Sequence, residues 1–302
     1  MTRKSRSLSW GERATLAAPY LWLLLFFLAP LLLVFKISLS KTVIARPPYE
    51  PTFTWSGGWS AWWDGAQKFS LEAWRGLVAD PLYARAWATS IALAAISTLI
   101  ALIIAYPFAL AIARASARWR PTLLGLAMAP FWTSFLIRVY AWIAILKDEG
   151  FLNHALIALG IIKAPLAIFA TNVAVVIGIV YSYLPFVILP IANALEKQDV
   201  QLREAAADLG ADAWRTFLHV TLPLSLPGVM AGALLMFIPA VGEFVIPDLL
   251  GGSDTMMLGK VMWNDFFENR DWPAAAAGAV ALLIVLVGPI VYFEKRQNRS
   301  VA

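Results

Sequence analysis

The chain has 302 residues, of which 60% are hydrophobic and 14% are charged, with 14 tryptophans, 17 phenylalanines, no cysteine and a formal net charge of +5. An average soluble domain carries about 25% charged residues, so this composition excludes a soluble enzyme, a disordered chain and a disulfide scaffold. It predicts an all-α, polytopic membrane protein.

Six stretches of the chain are long and apolar enough to cross a membrane, which requires about 20 mainly apolar residues. They are Leu16–Lys36, Trp87–Ala113, Pro121–Leu146, Thr171–Leu195, Val229–Leu249 and Trp272–Phe293. The first is too long for the apolar part of a signal peptide and lacks a small-residue cleavage pattern, so we expect an uncleaved span. Prolines inside the spans, such as Pro185, Pro190 and Pro239, indicate either kinked helices that line a cavity or ordinary kinks.

The distribution of basic residues predicts the orientation of these spans. Lysine and arginine are about twice as dense in the proposed inner segments as in the outer ones, which places both termini in the cytoplasm. The inner segments are 1–15, 114–120, 196–222 and 294–302, and the outer segments are 41–86, 147–170 and 253–271. We therefore expect a cytoplasmic tail at 1–15, a permease domain at 16–295 and a second tail at 296–302. The modest positive charge requires no nucleic acid as a partner.

Two outer segments have a character of their own. The loop Lys41–Ala86 is rich in Pro, Gly and Trp, which is typical of either a docking surface over the outer mouth or a loose aromatic loop at the lipid headgroups. The stretch Gly150–Ile162 is too short to span and predicts an amphipathic helix in the membrane interface.

The cytoplasmic loop between the fourth and fifth spans, residues 196–227, carries the most specific pattern. Apolar residues recur with a helical period from Leu202 to Val220, opposite an acidic face. Gly210 interrupts the pattern, which indicates either a bend between two short helices or close approach of a partner's backbone. Pro223 and Pro227 are predicted to end the pattern before the fifth span.

This loop resembles the EAA signature of the permeases of ATP-binding-cassette importers. The signature consists of Glu-Ala-Ala, three residues, Gly, nine residues, Ile, one residue and Leu-Pro. The matching residues of this chain are Glu204, Ala205, Ala206, Gly210, Val220, Leu222 and Pro223, with Val replacing Ile at the fifth element. The resemblance implies a type I importer permease of the MetI-like fold. It also implies that the loop docks on a separate dimer of ATP-binding subunits, which hydrolyse ATP and pass their closure to the spans.

Three further segments resemble the polyamine importer permeases, and they match the putrescine-type subunit of spermidine/putrescine uptake systems best. They read PFWTSFLIRVYAWIAILK, VVIGIVYSYLPFVILPIANALEK and FIPAVGEFVIPDLLGG, the last followed by NRDWP. This resemblance implies an inner-membrane subunit that pairs with a second, related permease. A periplasmic binding protein would deliver the polyamine, and alternating access would move it into the cytoplasm.

The residues themselves offer a path for an elongated cation. Glu243 lies within an apolar run, and a carboxylate at membrane depth costs about 2.5–3.5 kcal/mol unless it faces a cavity or a partner. Asp248 lies nearer the outer mouth, and the aromatic rings of Tyr181, Tyr183 and Trp132 are candidates for cation–π contacts. The alternatives are an ion pair of Glu243 with Arg138, which can also pair with Asp148 or Glu149, and ordinary packing for the aromatic residues.

No catalytic constellation, Walker A loop or metal-spaced histidine cluster is visible in the sequence, so the chain is expected to be no enzyme and to hold no cofactor, with ATP and Mg²⁺ bound by the partner subunits. Two rival functions stay open. The same importer architecture serves other solutes, such as iron or thiamine, although an anion importer should not place an unpaired carboxylate in its path. An ion-driven secondary transporter would need its own ion site, and no inverted repeat of charged, broken spans indicates one.

Overall fold

The computed structural model describes residues 10–52, 65 and 67–300, most of which are helical. Within these residues the strands are β1 (Lys41–Thr42) and β2 (Tyr49–Glu50), an antiparallel pair with Lys41 opposite Glu50. The α-helices of the described residues, in chain order, are α1 (Trp10–Leu23), α2 (Ala29–Ser38), α3 (Glu72–Ala79), α4 (Pro81–Arg114), α5 (Arg120–Met128), α6 (Phe135–Leu146), α7 (Phe151–Ala158), α8 (Asn172–Glu196), α9 (Val200–Asp208), α10 (Ala213–Thr216), α11 (Leu222–Val241), α12 (Val245–Leu250), α13 (Leu258–Phe267) and α14 (Trp272–Ser300).

The predicted apolar segments are helical, but they do not all form full-length straight spans. In the described part of the chain, four continuous helices are long and apolar enough to cross a membrane, and they run over Thr15–Ser38, Pro81–Arg114, Asn172–Glu196 and Ala213–Val241. A fifth exists if a sharply bent helix pair is taken as one span, and the apolar part of the last helix is the shorter segment Trp272–Gly288. Among the described residues, length and composition thus identify four candidate spans, or five with the bent pair, and the sixth predicted segment lies within the continuous helix α14.

The third predicted span, Pro121–Leu146, is wrong as a single helix. The helix from Arg120 ends in a tight turn at Ala129–Trp132 that contains Pro130, and α6 starts only at Phe135. The two halves of this segment meet at 85°. Proline lacks the N–H that would continue the helical ladder, so the break falls at the position where the backbone bonding is weakest.

The fifth predicted span, Val229–Leu249, is shifted. The helix begins upstream at Ala213, passes through Pro223 and Pro227, and ends at Val241. The expectation that these prolines end the pattern is wrong, because Phe217–Thr221 form a wide π-type turn closed by the Leu222 N–H on the Phe217 carbonyl. In a π-type turn the backbone hydrogen bonds run over five residues instead of four. The helix can therefore continue through Pro223, which has no N–H to donate. The residues after Gly242 form the separate short helix α12.

Residues up to Pro81 together with Met262–Pro289 form one compact unit. In it, the Trp74 indole donates to Ser38 Oγ (3.3 Å), the Lys36 ammonium donates to the Pro51 carbonyl, and Thr42 Oγ1 donates to Asp271 Oδ1 (2.6 Å). Both the beginning and the later part of the loop Lys41–Ala86 are therefore hydrogen-bonded to helices or to helix ends. The tryptophan-rich stretch 53–64, on which both predictions for this loop depend, lies outside the described residues.

Leu82–Val261, with the residues from Ile290 onwards, form the second unit. Its core is built on the contact between α8 and α11, where Gly228 and Gly232 let two backbones approach. A Cβ at Gly228 would lie 2.6 Å from the Pro190 carbonyl oxygen, and one at Gly232 would lie 3.0 Å from that of Val187. Small residues four apart are a common interface between membrane helices, because association there depends on close packing. This contact fixes the positions of the loop before α11 and of the break after it.

Candidate functional site

The loop at 196–227 contains two short helices joined by a sharp turn, as the interrupted pattern predicts. Asp199 caps α9 by accepting from the Gln201 N–H (3.0 Å), and Asp212 caps α10 by accepting from the Arg215 N–H (2.7 Å). An oxygen-bearing side chain at the first position of a helix supplies an acceptor that the backbone lacks there. Both helices are therefore specified locally by the sequence.

Gly210 makes the turn between these helices. Its φ of +82° lies in the left-handed region, which favours glycine. The Gly210 N–H donates to the Ala207 carbonyl (2.9 Å), and the Ala211 N–H donates to the Ala206 carbonyl (3.0 Å). This pair of bonds is a Schellman motif, which ends a helix and redirects the chain. The bend that the sequence indicates at Gly210 is therefore confirmed.

The outer face of this turn is available to a partner. Glu204, Ala205 and Gly210 are exposed, and the Leu209 side chain is 89% exposed. Of the apolar stripe that the sequence predicts, Leu202 and Leu209 are exposed, whereas Phe217 is half-buried and packs edge-on against Tyr106 (5.6 Å). The end of the first short helix thus presents Leu209 beside Ala205, whose carbonyl accepts from the Leu209 N–H (3.1 Å).

The second feature is the break between α11 and α12, where Glu243 is 7% exposed. Its Oε1 accepts from the backbone N–H groups of Phe244 (3.1 Å), Val245 (3.0 Å) and Ile246 (3.5 Å). Its Oε2 accepts from the hydroxyl group of Tyr183 at 2.5 Å. The carboxylate therefore supplies the acceptors that the start of α12 lacks and is bound at both oxygens.

This arrangement bears on one alternative that the sequence left open, an ion pair of Glu243 with Arg138. Glu243 makes no ion pair with Arg138 in the part of the chain that the structure describes. The guanidinium of Arg138 lies over the rings of Phe131 (5.5 Å) and Phe135 (5.8 Å), and its buried Nε and Nη1 have no hydrogen-bond partner in the described residues. Cation–π contacts of this kind contribute about 0.5–2 kcal/mol each.

The break is also held by Gly259, which the sequence patterns did not single out. A Cβ at Gly259 would overlap the carbonyl oxygen of Gly242 and lie 2.6 Å from that of Glu243. The first turn of α13 therefore packs directly on the backbone of the break. Glycine in the run MMLGKV was the only sequence signal of this close approach.

We expect Gly259→Ala to destabilise this region by about 1–3 kcal/mol, because the added methyl group forces two backbone segments apart. Thermal unfolding of the purified protein in detergent measures the loss. Gly125→Ala is the matched control, since a Cβ there meets nothing within 4 Å and the site is helical. Equal unfolding temperatures for the two variants would contradict a close backbone approach at Gly259.

Asp248, in the first turn of α12, has a partner that the sequence patterns did not reveal. Its Oδ1 lies 3.5 Å from the ammonium nitrogen of Lys260 on α13, and the side chains of Asp248 and Lys260 are 51% and 22% exposed. This is an ion pair beyond hydrogen-bond distance, with much of the carboxylate open. Lys260 was missed because nothing in a linear pattern pairs two residues on different helices.

The structure brings one of the three aromatic candidates into contact with Glu243 and gives the other two different surroundings. The Tyr183 ring lies 6.2 Å from that of Phe186, and its hydroxyl bonds Glu243. Tyr181, two residues away on the same helix, packs edge-on against Trp142 at 5.4 Å. Trp132 is 80% exposed at the end of the turn that breaks the third segment. Pathway roles for these residues stay predictions.

No group of three or more His, Cys, Asp or Glu side chains that could hold a metal ion occurs among the residues described. The titratable residues of the break are instead used in pairs, Glu243 with Tyr183 and Asp248 with Lys260. The arrangement is suited to organising a backbone break and to presenting one carboxylate.

Comparison with known proteins identifies the chain's relatives. The family model described as binding-protein-dependent transport system inner membrane component matches residues 105–293. The chain is 38% identical over 288 residues to the spermidine/putrescine transport system permease protein PotB of Haemophilus influenzae, which covers 95% of this chain and 94% of the relative. Against PotB of Escherichia coli it is 43% identical over 218 residues, 72% of this chain and 79% of the relative.

A solved structure shares the fold at low sequence identity. The structure of a bacterial alginate ABC transporter, in complex with an alginate pentasaccharide-bound periplasmic protein, contains a chain that matches with a TM-score of 0.70 at 15% identity. The match covers 96% of this chain and 94% of that one. Fold, family model and relatives agree, so the chain belongs to the binding-protein-dependent transport system inner membrane components, the multi-pass permease subunits of ABC importers.

Proposed function

We propose that this chain is a transmembrane permease subunit of an ABC importer that moves polyamines, putrescine or spermidine, into the cytoplasm. The observation that carries the proposal is the 38% identity over 95% of the chain to a spermidine/putrescine permease. Identity over nearly the whole length includes both the loop with the EAA signature and the broken helix at Glu243. The chain itself performs no covalent chemistry.

The loop at 196–227 is the proposed contact with the ATP-binding subunits. Its exposed Leu209, the small residues Ala205 and Ala206, and the turn at Gly210 present a compact surface. Because the helix continues from Ala213 to Val241, a displacement of the turn is transmitted along this helix to the break at Gly242. Nucleotide can drive transport this way only if it binds the two states of the permease with different affinity.

The remaining partners follow from the same proposal. A second, related permease subunit would complete the pathway, since one chain of this size exposes many large apolar side chains. A periplasmic binding protein would deliver the polyamine to the outer side. Both termini would lie in the cytoplasm, in agreement with the density of basic residues in the inner segments.

The proposal is tested by co-purifying the chain with its permease partner and ATPase and reconstituting the complex in proteoliposomes. We expect the binding protein loaded with putrescine or spermidine to stimulate ATP hydrolysis several-fold and to drive uptake of the labelled polyamine. An ATPase variant that binds but cannot hydrolyse ATP is the control and should abolish uptake.

The outcomes separate the rival functions. If a binding protein loaded with iron or thiamine stimulates ATP hydrolysis and one loaded with polyamine does not, the chain is an importer permease with a different cargo. Uptake that persists with the inactive ATPase and follows an ion gradient would instead indicate a secondary transporter. Either result would overturn the polyamine proposal.

A further inference from the structure

The ion pair between Asp248 and Lys260 differs from the other ion pairs of the described residues. Arg120 bonds Glu196 at 2.5 Å, a hydrogen-bonded contact at the end of the apolar helices, and Arg215 lies near Asp212 within one short exposed helix. Like Arg120 and Glu196, Asp248 and Lys260 lie on two different helices, but their charges are 3.5 Å apart, beyond hydrogen-bond distance, and the carboxylate, which is 51% exposed, lies beside the break. The pair is therefore close enough to neutralise both charges and open enough to exchange partners.

The two carboxylates beside the break, Glu243 and Asp248, differ in how many partners their oxygens have. Glu243 is bound at both oxygens by three backbone N–H groups and one hydroxyl group. Asp248 has only the ammonium of Lys260 against its Oδ1 among its side-chain contacts in the described chain. The carboxylate with unused acceptor capacity at this break is therefore Asp248, not Glu243.

The chemistry of Lys260 matches that of the proposed cargo. A lysine side chain is a flexible four-carbon stem that ends in a compact primary ammonium with three donors. Putrescine is the same kind of stem with a primary ammonium at each end, and spermidine ends in the same group. Lys260 thus presents to Asp248 the group that a polyamine would present.

We propose that Asp248 receives a terminal ammonium of the polyamine during transport and that Lys260 is its built-in substitute when no cargo is present. The inference rests on the proposed function, because it assigns the polyamine contact within it. The ammonium of the cargo displaces the ammonium of Lys260 from Asp248, and Lys260 returns when the cargo leaves. The carboxylate is paired with an ammonium group in both states, so its charge has a partner before and after the exchange.

Three variants in the reconstituted importer test this exchange. Asp248→Asn is expected to raise the KM for putrescine more than tenfold, because the amide carries no charge for the ammonium of the cargo. Lys260→Met removes the internal competitor and is expected to lower the KM several-fold. The double variant Asp248→Lys with Lys260→Asp keeps an ion pair between the two helices, but it is expected to lose uptake because the carboxylate now stands on the wrong helix.

The matched control is Asp271→Asn, the same carboxylate-to-amide change at a residue that accepts from Thr42 Oγ1 (2.6 Å) and from the Ala274 N–H (3.1 Å). It is expected to leave the KM for putrescine unchanged, because the amide oxygen can still accept both hydrogen bonds. Thermal unfolding in detergent is measured for every variant. If Asp248→Asn does not assemble, Lys260→Met, which keeps the carboxylate and removes only its internal partner, decides the question by the direction in which the KM changes.

Each outcome decides between a cargo-exchanging pair and a purely structural one. A charge-reversed Asp248 and Lys260 pair that restores uptake, or a raised KM in Lys260→Met, would show a purely structural ion pair and overturn the inference alone. Absence of polyamine uptake by the wild-type complex would overturn the proposed function and this inference with it.

Discussion

Gly210→Leu is expected to uncouple ATP hydrolysis from transport while the importer still assembles. Leucine in the left-handed conformation that Gly210 adopts, with φ of +82°, costs about 1–2 kcal/mol. The turn is expected to open, because the surrounding loop is exposed and offers no packing to hold the strained residue. The surface around Leu209 then no longer has a fixed direction relative to α11.

The measurement is polyamine taken up per ATP hydrolysed in proteoliposomes. We expect this ratio to fall at least tenfold in Gly210→Leu, with basal ATP hydrolysis retained. Gly210→Asn distinguishes the need for a left-handed backbone from the need for a position without a side chain. Asparagine tolerates the left-handed region but adds a side chain. Retained coupling in Gly210→Asn identifies the turn as the essential feature, and lost coupling identifies close approach by the partner.

Gly160→Leu is the matched control. Gly160 also has a positive φ, +69°, and it ends α7 with the same two bonds, from its own N–H to Ile157 and from the Ile161 N–H to Leu156. The backbone strain is therefore reproduced outside the loop at 196–227. If both variants lower the uptake ratio equally, the coupling role of Gly210 is wrong.

Glu243→Ala is expected to be the most destabilising substitution at the break. It removes the acceptors of three backbone N–H groups and of the Tyr183 hydroxyl in a residue that is 7% exposed. Each buried polar group left without a partner costs about 1–3 kcal/mol. We therefore expect a large fall in the thermal unfolding temperature in detergent and loss of uptake.

Glu243→Gln is the informative companion. The amide oxygen can still accept from the backbone N–H groups, and the Tyr183 hydroxyl can turn to accept from the amide nitrogen. We expect it to retain most of the uptake and to unfold close to the wild-type temperature. Tyr183→Phe removes one of the four contacts and should cost about 1–2 kcal/mol.

The stability and the uptake of these variants together distinguish a capping role of Glu243 from a direct contact with cargo. A capping carboxylate predicts that the alanine variant is far less stable than the glutamine variant. Direct contact with a cationic cargo predicts that Glu243→Gln loses uptake with an unchanged unfolding temperature. The second pattern would contradict a purely capping role for Glu243.

Several features were predictable from the sequence because they depend on neighbours along the chain. The bend at Gly210 follows from a glycine inside a helical period, and the caps at Asp199 and Asp212 follow from residue type and position. Apolar length also identified the helical segments. It failed at the turn Ala129–Trp132 and at Gly242, because hydropathy reports how apolar a segment is and not whether its backbone stays continuous.

What the sequence alone determined is the class of protein and the site of its coupling loop, since composition, apolar length and the spacing from Glu204 to Pro223 are properties of the chain itself. Only the tertiary structure decided how the carboxylates are used. Glu243 is bound because the helix breaks at Gly242 and the N–H groups at the start of α12 donate to its carboxylate. Asp248 lies 3.5 Å from Lys260 because the first turn of α13 returns to the break, where Gly259 meets the Gly242 carbonyl. Charge partners across helices are set by packing in three dimensions, which no linear spacing encodes.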